Sequence, residues 1–195
     1  MVLLAACVGG SSSSNVNAEW SEKPQSLTVV ISEPSVLNKD DLADDIPEYS
    51  QNFVEWFSQR LKIELELRTK MKPEIRVEKA ENYETAQFPV QQSMVTFHLP
   101  NPEKMANLHG MVLAIHPVQF WRRDDNCSPH PFGCFYIHHL MAKGTYAYMD
   151  MDSRKVVGYG FFFFPVSFTM AMARGDWEES VRSMVASIVE NTPLK

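Results

Sequence analysis

A chain of 195 residues, 45% of them hydrophobic, is long enough for one domain of typical size with a real core. Its formal net charge of −6 excludes a nucleic-acid binder that works through a basic face, because phosphate neutralisation needs clustered Lys and Arg. No apolar run approaches the roughly 20 residues of a bilayer-spanning helix, so the only membrane attachment on offer is a lipid.

In chain order, Leu4-Ala5-Ala6-Cys7 comes first, followed by Val8-Gly9-Gly10 and the serines Ser11 to Ser14. This stretch resembles the lipobox of bacterial lipoproteins. The resemblance implies that Cys7 carries a diacylglycerol and palmitate and that residues 1–6 are the remnant of a signal peptide. It also implies that Val8, standing where an aspartate would retain the protein at the inner membrane, directs it to the outer membrane, facing the periplasm. A secretory signal also needs a basic region and an apolar stretch of roughly 7–15 residues. Six residues precede Cys7 and none is basic, so either the signal begins upstream of Met1 or the match arises by chance.

From Asn15 to Gln25 the chain is polar, with Trp20 its one large apolar residue. The stretch 7–25 therefore reads as a flexible Ser-rich linker that buries no core, and 26–195 as the folded domain. Leu27-Thr28-Val29-Val30-Ile31, stopped by Glu33-Pro34, predicts a central strand buried on both faces. Asp40 to Asp45 is turn-like, and Asp45 with Pro47 and Glu48 behind it predicts a helix start. Tyr49, Phe53, Trp56, Phe57 and Leu61 then fall on one helical stripe. Past Arg60 two readings remain open. Leu61, Ile63, Leu65 and Leu67 alternate with Lys62, Glu64, Glu66 and Arg68 as in a half-exposed strand, yet these residue types favour helix.

Glu74 to Glu78 and Val95 to Leu99 are strand candidates, and Asn101-Pro102-Glu103 predicts a short helix through Leu108, ended by Gly110. Met111 to Trp121 reads as a strand. Arg122 to Gly133 reads as a polar loop with Arg122-Arg123-Asp124-Asp125 at a solvated tip. Phe135 to Met151 predicts a long strand with Tyr146 and Tyr148 on one face and Ala147, Met149 and Met151 on the other. After a turn at Asp152 to Lys155, a strand runs from Val156 through Phe161-Phe162-Phe163-Phe164 and stops at Pro165. A last helix runs from Asp176 to about Asn191, with Asp176 and Glu179 as a capping box and Trp177, Val181, Met184, Val185 and Ile188 buried. The fold class is α/β (α+β): a mixed, mainly antiparallel sheet with helices packed on it, in a single domain.

This order of elements, with Met149-Asp150-Met151-Asp152-Ser153-Arg154-Lys155-Val156-Val157-Gly158-Tyr159-Gly160 as the hairpin and Asp176-Trp177 opening the last helix, resembles a group of envelope lipoproteins. The group includes the curli-secretion lipoprotein, the activators of penicillin-binding proteins and the amino-terminal domain of TolB. Gly158-Tyr159 stands where that group carries a tryptophan. The resemblance implies a mixed sheet with helices on one face, used for protein contacts rather than chemistry. It carries over no functional residue, because the group shares a scaffold and not a site.

With Cys7 lipidated, Cys127 and Cys134 remain as an even pair, and a periplasmic disulfide fits them; closing so short a loop is worth about 2.5 kcal/mol. In a cytosolic protein the same pair would be two free thiols. Cys127, His130, Cys134 and His138 are also candidate zinc or copper ligands, although their spacing is not that of a zinc finger and the adjacent His138 and His139 point to opposite faces of a strand. No Gly-x-Ser-x-Gly elbow, phosphate loop or dinucleotide fingerprint is present, and an enzyme is not expected. Four consecutive phenylalanines cannot all face one core layer, which makes Tyr159, Phe161 and Phe163 the candidate partner surface.

The expected function is a lipid-anchored, periplasm-facing, non-catalytic binding or assembly component of the cell envelope. Such a protein would meet another envelope protein or copies of itself, without cofactor or nucleic acid. The alternative is a periplasmic metal- or ligand-binding protein that uses the loop from Cys127 to His139.

Overall fold

The computed structural model describes residues 10–38, 47–124, 128–130, 133–135, 137–168 and 172–195, with the backbone alone for 47–51, 128–130 and 133–135. Its centre is an antiparallel hairpin of two long strands, β10 (His138–Asp150) and β11 (Lys155–Phe168). β7 (Met111–Asp124) pairs with the other edge of β10. Parallel to β7 lie β2 (Thr28–Ile31) and the two-residue β3 (Ser35–Val36), and β4 (Glu74–Val77) lies parallel to β2. β1 (Ser11–Val16) closes the opposite side by pairing antiparallel with β11. The result is a mixed seven-stranded sheet in the order β1-β11-β10-β7-β2-β4, with β3 alongside β7.

The register of the central hairpin follows from aromatic rings lying over glycines on the neighbouring strand. Phe162 sits opposite Gly144, Tyr146 opposite Gly160, and Tyr148 opposite Gly158. A Cβ at Gly144 would come 2.5 Å from the tip of the Phe162 ring and 2.6 Å from the Pro117 carbonyl oxygen. One at Gly160 would collide with the Ser13 carbonyl oxygen and the Tyr146 hydroxyl. Each glycine weakens its strand in isolation, and the ring laid over it recovers that loss by burying a large apolar surface.

Both helices pack on the face that these rings share. α1 (Pro47–Thr69) includes one non-helical residue, Asn52, and α2 runs over Arg174–Val189. Phe57, Leu61 and Leu65 from α1 and Trp177, Val181, Met184, Val185 and Ile188 from α2 join Val29, Ile31, Leu113, Ile115, Tyr146, Tyr148 and Phe162 in one core. The hydroxyl of Tyr148 donates to the Ile188 carbonyl at 3.0 Å and that of Tyr146 to the Ser187 carbonyl at 3.3 Å. These carbonyls belong to the last turn of α2, where no helical N–H can reach them. A buried carboxylate links the helices: Glu64 pairs with Arg60 at 2.5 Å and lies 3.7 Å from Arg182 of α2, and Arg60 reaches Glu178 at 3.4 Å. The open choice beyond Arg60 is thereby settled as helix, with Leu61, Glu64 and Leu65 inward and Ile63 and Leu67 outward.

The opposite face is partly covered by a second hairpin, β5 (Tyr83–Val90) and β6 (Ser93–Pro100). Below it a smaller core gathers Val30, Tyr83, Met105, Leu108, Val112, Ala114, Met149 and Met151. The strand expected at Val95 to Leu99 is β6; its partner β5 interrupts its apolar pattern with Glu84, Gln87 and Pro89, which hid it from periodicity.

Five expectations give way to the structure. The linker expected over 7–25 contains β1, because the free edge of β11 offers unpaired backbone groups that a polar serine run satisfies as well as any other. Within the same stretch Trp20 packs on Tyr148, ring centroids 4.9 Å apart. The helix expected at Asn101 to Leu108 is a series of turns, in which Asn101 Oδ1 accepts from the N–H groups of Glu103 and Lys104 at 2.9 and 3.2 Å without a helix following. The loop expected from Arg122 begins instead as strand, since β7 continues to Asp124, and includes a small hairpin of β8 (Ser128–His130) and β9 (Gly133–Phe135), while β10 starts at His138. Pro165 does not end β11; it lies beyond Phe163, the last residue that β1 pairs, where a missing N–H costs little. Asp176 is the third residue of α2 rather than its cap, and its Oδ2 accepts from the Ala173 N–H at 2.7 Å.

Replacing Gly144 with alanine should destabilise the fold by about 2–3 kcal/mol, because the added methyl meets backbone and ring at once. At Gly158 the nearest atom to an added Cβ is Tyr148 Cδ2 at 3.3 Å, and Gly158→Ala should stay within about 1 kcal/mol of neutral, the contact being offset by lost unfolded-state entropy. Urea unfolding of the two variants checks the order; equal losses would show that the rings do not set the register.

Candidate functional site

The side-chain alternation of β10 and β11 places Lys143, Thr145, Tyr159, Phe161 and Phe163 on the face away from the helices, and β7 adds Gln119 and Trp121 there. The β5–β6 hairpin covers one end of this face. Tyr159 lies under it: its ring stacks on Phe88 at 4.6 Å and meets Phe97 edge-on at 5.2 Å, and its hydroxyl donates to the Pro89 carbonyl at 3.2 Å. Past the hairpin the face is only partly exposed among the described residues, since Met141 and His139, on the Lys143 side of β10, are buried. There Trp121, Phe161 and Phe163 are half-buried and Lys143 is exposed. The Trp121 and Phe163 rings are 6.1 Å apart, and Lys143 Nζ stands 5.5 Å from the Trp121 ring centre, within reach of a cation–π attraction.

Of the three aromatic residues expected to meet a partner, Phe161 and Phe163 therefore belong to the partly exposed end and Tyr159 to the hairpin contact. Cys7 and Cys127 lie outside the described residues. His130 and Cys134 fall on the β8–β9 hairpin, where Pro129 is opposite Cys134 and His130 opposite Gly133; their side chains are likewise outside the description. His138 and His139 do point to opposite faces. His138 Nδ1 is 2.7 Å from Asp124 Oδ1 and 3.2 Å from an Arg122 guanidinium nitrogen, whereas His139 Nδ1 is 3.0 Å from Ser167 Oγ. Burial pushes the Asp124 carboxyl up, but bonds from Arg122 and His138 outweigh it and hold the group below the usual carboxylate range. Arg122 and Asp124 are thus part of an ordered strand end rather than a loop tip.

Sequence reasoning missed a polar cluster at the boundary between the covered and partly exposed ends. Opposite Thr145, β7 holds an extra residue at the cis bond His116–Pro117, a bulge that turns the His116 ring towards the hairpin. Ser32 Oγ and His116 Nδ1 share a hydrogen bond. The His116 ring stacks on Tyr83 at 4.7 Å and meets His98 edge-on at 4.5 Å, while Thr145 donates to the His116 carbonyl at 2.6 Å. Among the described residues, the Tyr83 hydroxyl and His98 Nδ1 are buried without a hydrogen-bond partner. The one available signal was Ser32 following a buried strand; the histidines come from two separate strands and no local pattern joins them.

Burial and the neighbouring His98 push His116 down to about 4, and burial lowers His98 as well. Burial and Glu78 hold the Tyr83 hydroxyl well above its ordinary range. At neutral pH the cluster is uncharged. Ser32 is only 5% exposed, and among the described residues no carboxylate bonds to either ring, so the Ser–His contact lacks both the access and the orienting group of an activated nucleophile. Its evident effect is to hold the β5–β6 hairpin on the sheet.

Because both imidazoles are held below their unfolded value, the unfolded chain takes up protons first. Their contribution to stability is complete above the unfolded value of about 6.5 and is lost as pH falls through the folded value, which for His116 is about 4. Urea unfolding across this window should show stability falling with pH, and the combined change His98→Phe and His116→Gln should flatten it. An unchanged slope in that variant would assign the acid sensitivity elsewhere.

No protein family and no curated protein matches this sequence. Among solved structures, a PelC dodecamer from Paraburkholderia phytofirmans is similar at 10% identity, covering 95% of this chain and 97% of that one, with a TM-score of 0.42. A point variant of that dodecamer gives 11%, 95%, 98% and 0.41. A protein described as a homolog of a neuraminyllactose-binding hemagglutinin from Helicobacter pylori gives 12% identity, 87% and 84% coverage and a TM-score of 0.41. None of the three reaches a TM-score of 0.5.

Proposed function

We propose that this chain is a lipid-anchored component of the bacterial cell envelope that works by binding or assembly rather than by catalysis. The observation that carries this reading is how the chain enters the fold. Ser11, four positions after Cys7, is already paired with Phe163 of β11. A lipid on Cys7 would hold the sheet within roughly 14 Å of its attachment point, since an extended residue spans at most about 3.5 Å. The domain would stand at the bilayer rather than swing from a long tether.

The lipobox-like Leu4-Ala5-Ala6-Cys7 and the residue Val8 support attachment to the outer membrane, facing the periplasm. The half-open aromatic face supports a contact function, because a contiguous apolar face left in water is a liability to a monomer unless something meets it. The partner in this reading is another envelope protein or further copies of the chain.

Cells that express the protein from its own gene should incorporate labelled palmitate into it and hold it in the outer-membrane fraction. Cys7→Ser should abolish the label and release the protein to the soluble fraction. Mass spectrometry that finds an unmodified thiol at Cys7 in the mature protein would overturn the reading.

A further inference from the structure

We propose that the partly exposed end of the sheet face around Trp121, Lys143 and Phe163 is a membrane-apposed surface that rests on anionic lipid headgroups. The inference rests on the lipid-anchored reading above and adds an orientation: the domain lies with this face on the bilayer instead of presenting it to the periplasm.

Position is the first argument. Ser11 pairs with Phe163, and Phe163 in turn lies opposite Lys143. Gly10 is so close to β11 that a Cβ there would come 2.9 Å from the Phe164 Cβ. Cys7 is three residues before Gly10, so an attached lipid lies within roughly 11 Å of this end of β11. The anchor and the aromatic patch are therefore at the same end of the sheet.

Composition is the second. Trp121 and Lys143 form the pairing found at membrane–water interfaces, where an indole sits at headgroup level and a lysine keeps its ammonium among phosphates while its stem lies on apolar surface. The two long strands on either side of the β8–β9 hairpin end here, and with them come further exposed apolar side chains. Ile137, 42% exposed, precedes His138, which is opposite Asp124; Leu37, 43% exposed, bonds through its N–H to the Phe120 carbonyl at 2.8 Å.

Two measurements test the proposal. Lipidated full-length chain is reconstituted on phosphatidylglycerol/phosphatidylethanolamine vesicles whose acyl chains carry bromine near the headgroup. Of the four tryptophans, Trp121 should be the one quenched, and Trp121→Phe should remove most of the quenching. Separately, the unlipidated Cys7→Ser chain should bind the same vesicles weakly, and Lys143→Glu should weaken that binding at least fivefold, taking about 1 kcal/mol per charge; melting curves confirm that each variant is folded. Quenching that survives Trp121→Phe, or vesicle binding that Lys143→Glu leaves unchanged, overturns the proposal even when Cys7 is lipidated. If Cys7 proves unmodified in cells while the vesicle results hold, the anchor falls and the lipid-facing surface stands. If Trp121 is shielded from iodide in envelope extracts but never quenched by brominated lipid, the face belongs to a protein partner and the proposal fails.

Discussion

Everything in this fold depends on rings lying over glycines in the central hairpin. Tyr146 over Gly160 and Phe162 over Gly144 lock β10 to β11 in one register, because a slip by one residue would set each ring against a side chain and turn every inward residue outward. With that register fixed, both tyrosines and Phe162 face the helices, and the tyrosine hydroxyls reach the last carbonyls of α2. One packing choice thus places the sheet, closes a helix end and defines which residues are left for the other face. The glycines of Gly158-Tyr159-Gly160 are explained by ring contact rather than by any phosphate-binding turn.

The two faces are held by different physics. On the helix side the contact is mostly apolar, and its one buried charge among the described residues, Glu64, is answered by Arg60 and Arg182 from two different helices. Such an arrangement adds little net stability, since desolvation offsets the attraction, but loss of either partner is costly. On the hairpin side the small apolar core ends in the Ser32, Tyr83, His98 and His116 cluster, where two polar atoms lack partners among the described residues. An unpaired buried donor or acceptor costs about 1–3 kcal/mol, and the helix side carries such atoms too, at Arg60 Nε, Trp177 Nε1 and Ser180 Oγ.

Much of this was legible in the sequence, for reasons that also mark its limit. The apolar stripe of α1 from Phe53 to Leu61, that of α2, the buried strand at Val29 to Ile31, and the alternation of Tyr146 and Tyr148 against Ala147 and Met149 are local patterns, and the structure reproduces them; Asp45 and the Tyr49 side chain lie outside the described residues. The stretch Leu61 to Leu67 fits two periods, and only packing against the sheet and α2 decides between them. β1 and β5 carry no apolar alternation; they are strands because an exposed edge and a neighbouring hairpin arm supply hydrogen-bond partners. The histidine cluster joins residues 84 positions apart, Ser32 and His116, and such a meeting is created by topology alone. For the same reason Phe161 and Phe163 could be separated from Phe162 and Phe164 by alternation, while Tyr159 could not be assigned to the hairpin contact without knowing that the hairpin exists.

The partly exposed aromatic face follows from the same constraint as the core. Even positions of β11 from Gly158 to Phe164 are taken by the helix side, so odd positions must face away from it, and the register alone makes no demand that they be apolar. A solvated sheet face normally alternates to polar residues, as Ser11 and Ser13 do beside it on β1. Phe161 and Phe163 depart from that rule at the end of the sheet where Gly10 enters, with Trp121 and Lys143 alongside. The hairpin that covers Tyr159 stops short of them, and they stay half-buried beside the buried Met141. Their half-exposed rings beside Lys143 are what the proposed headgroup contact would use.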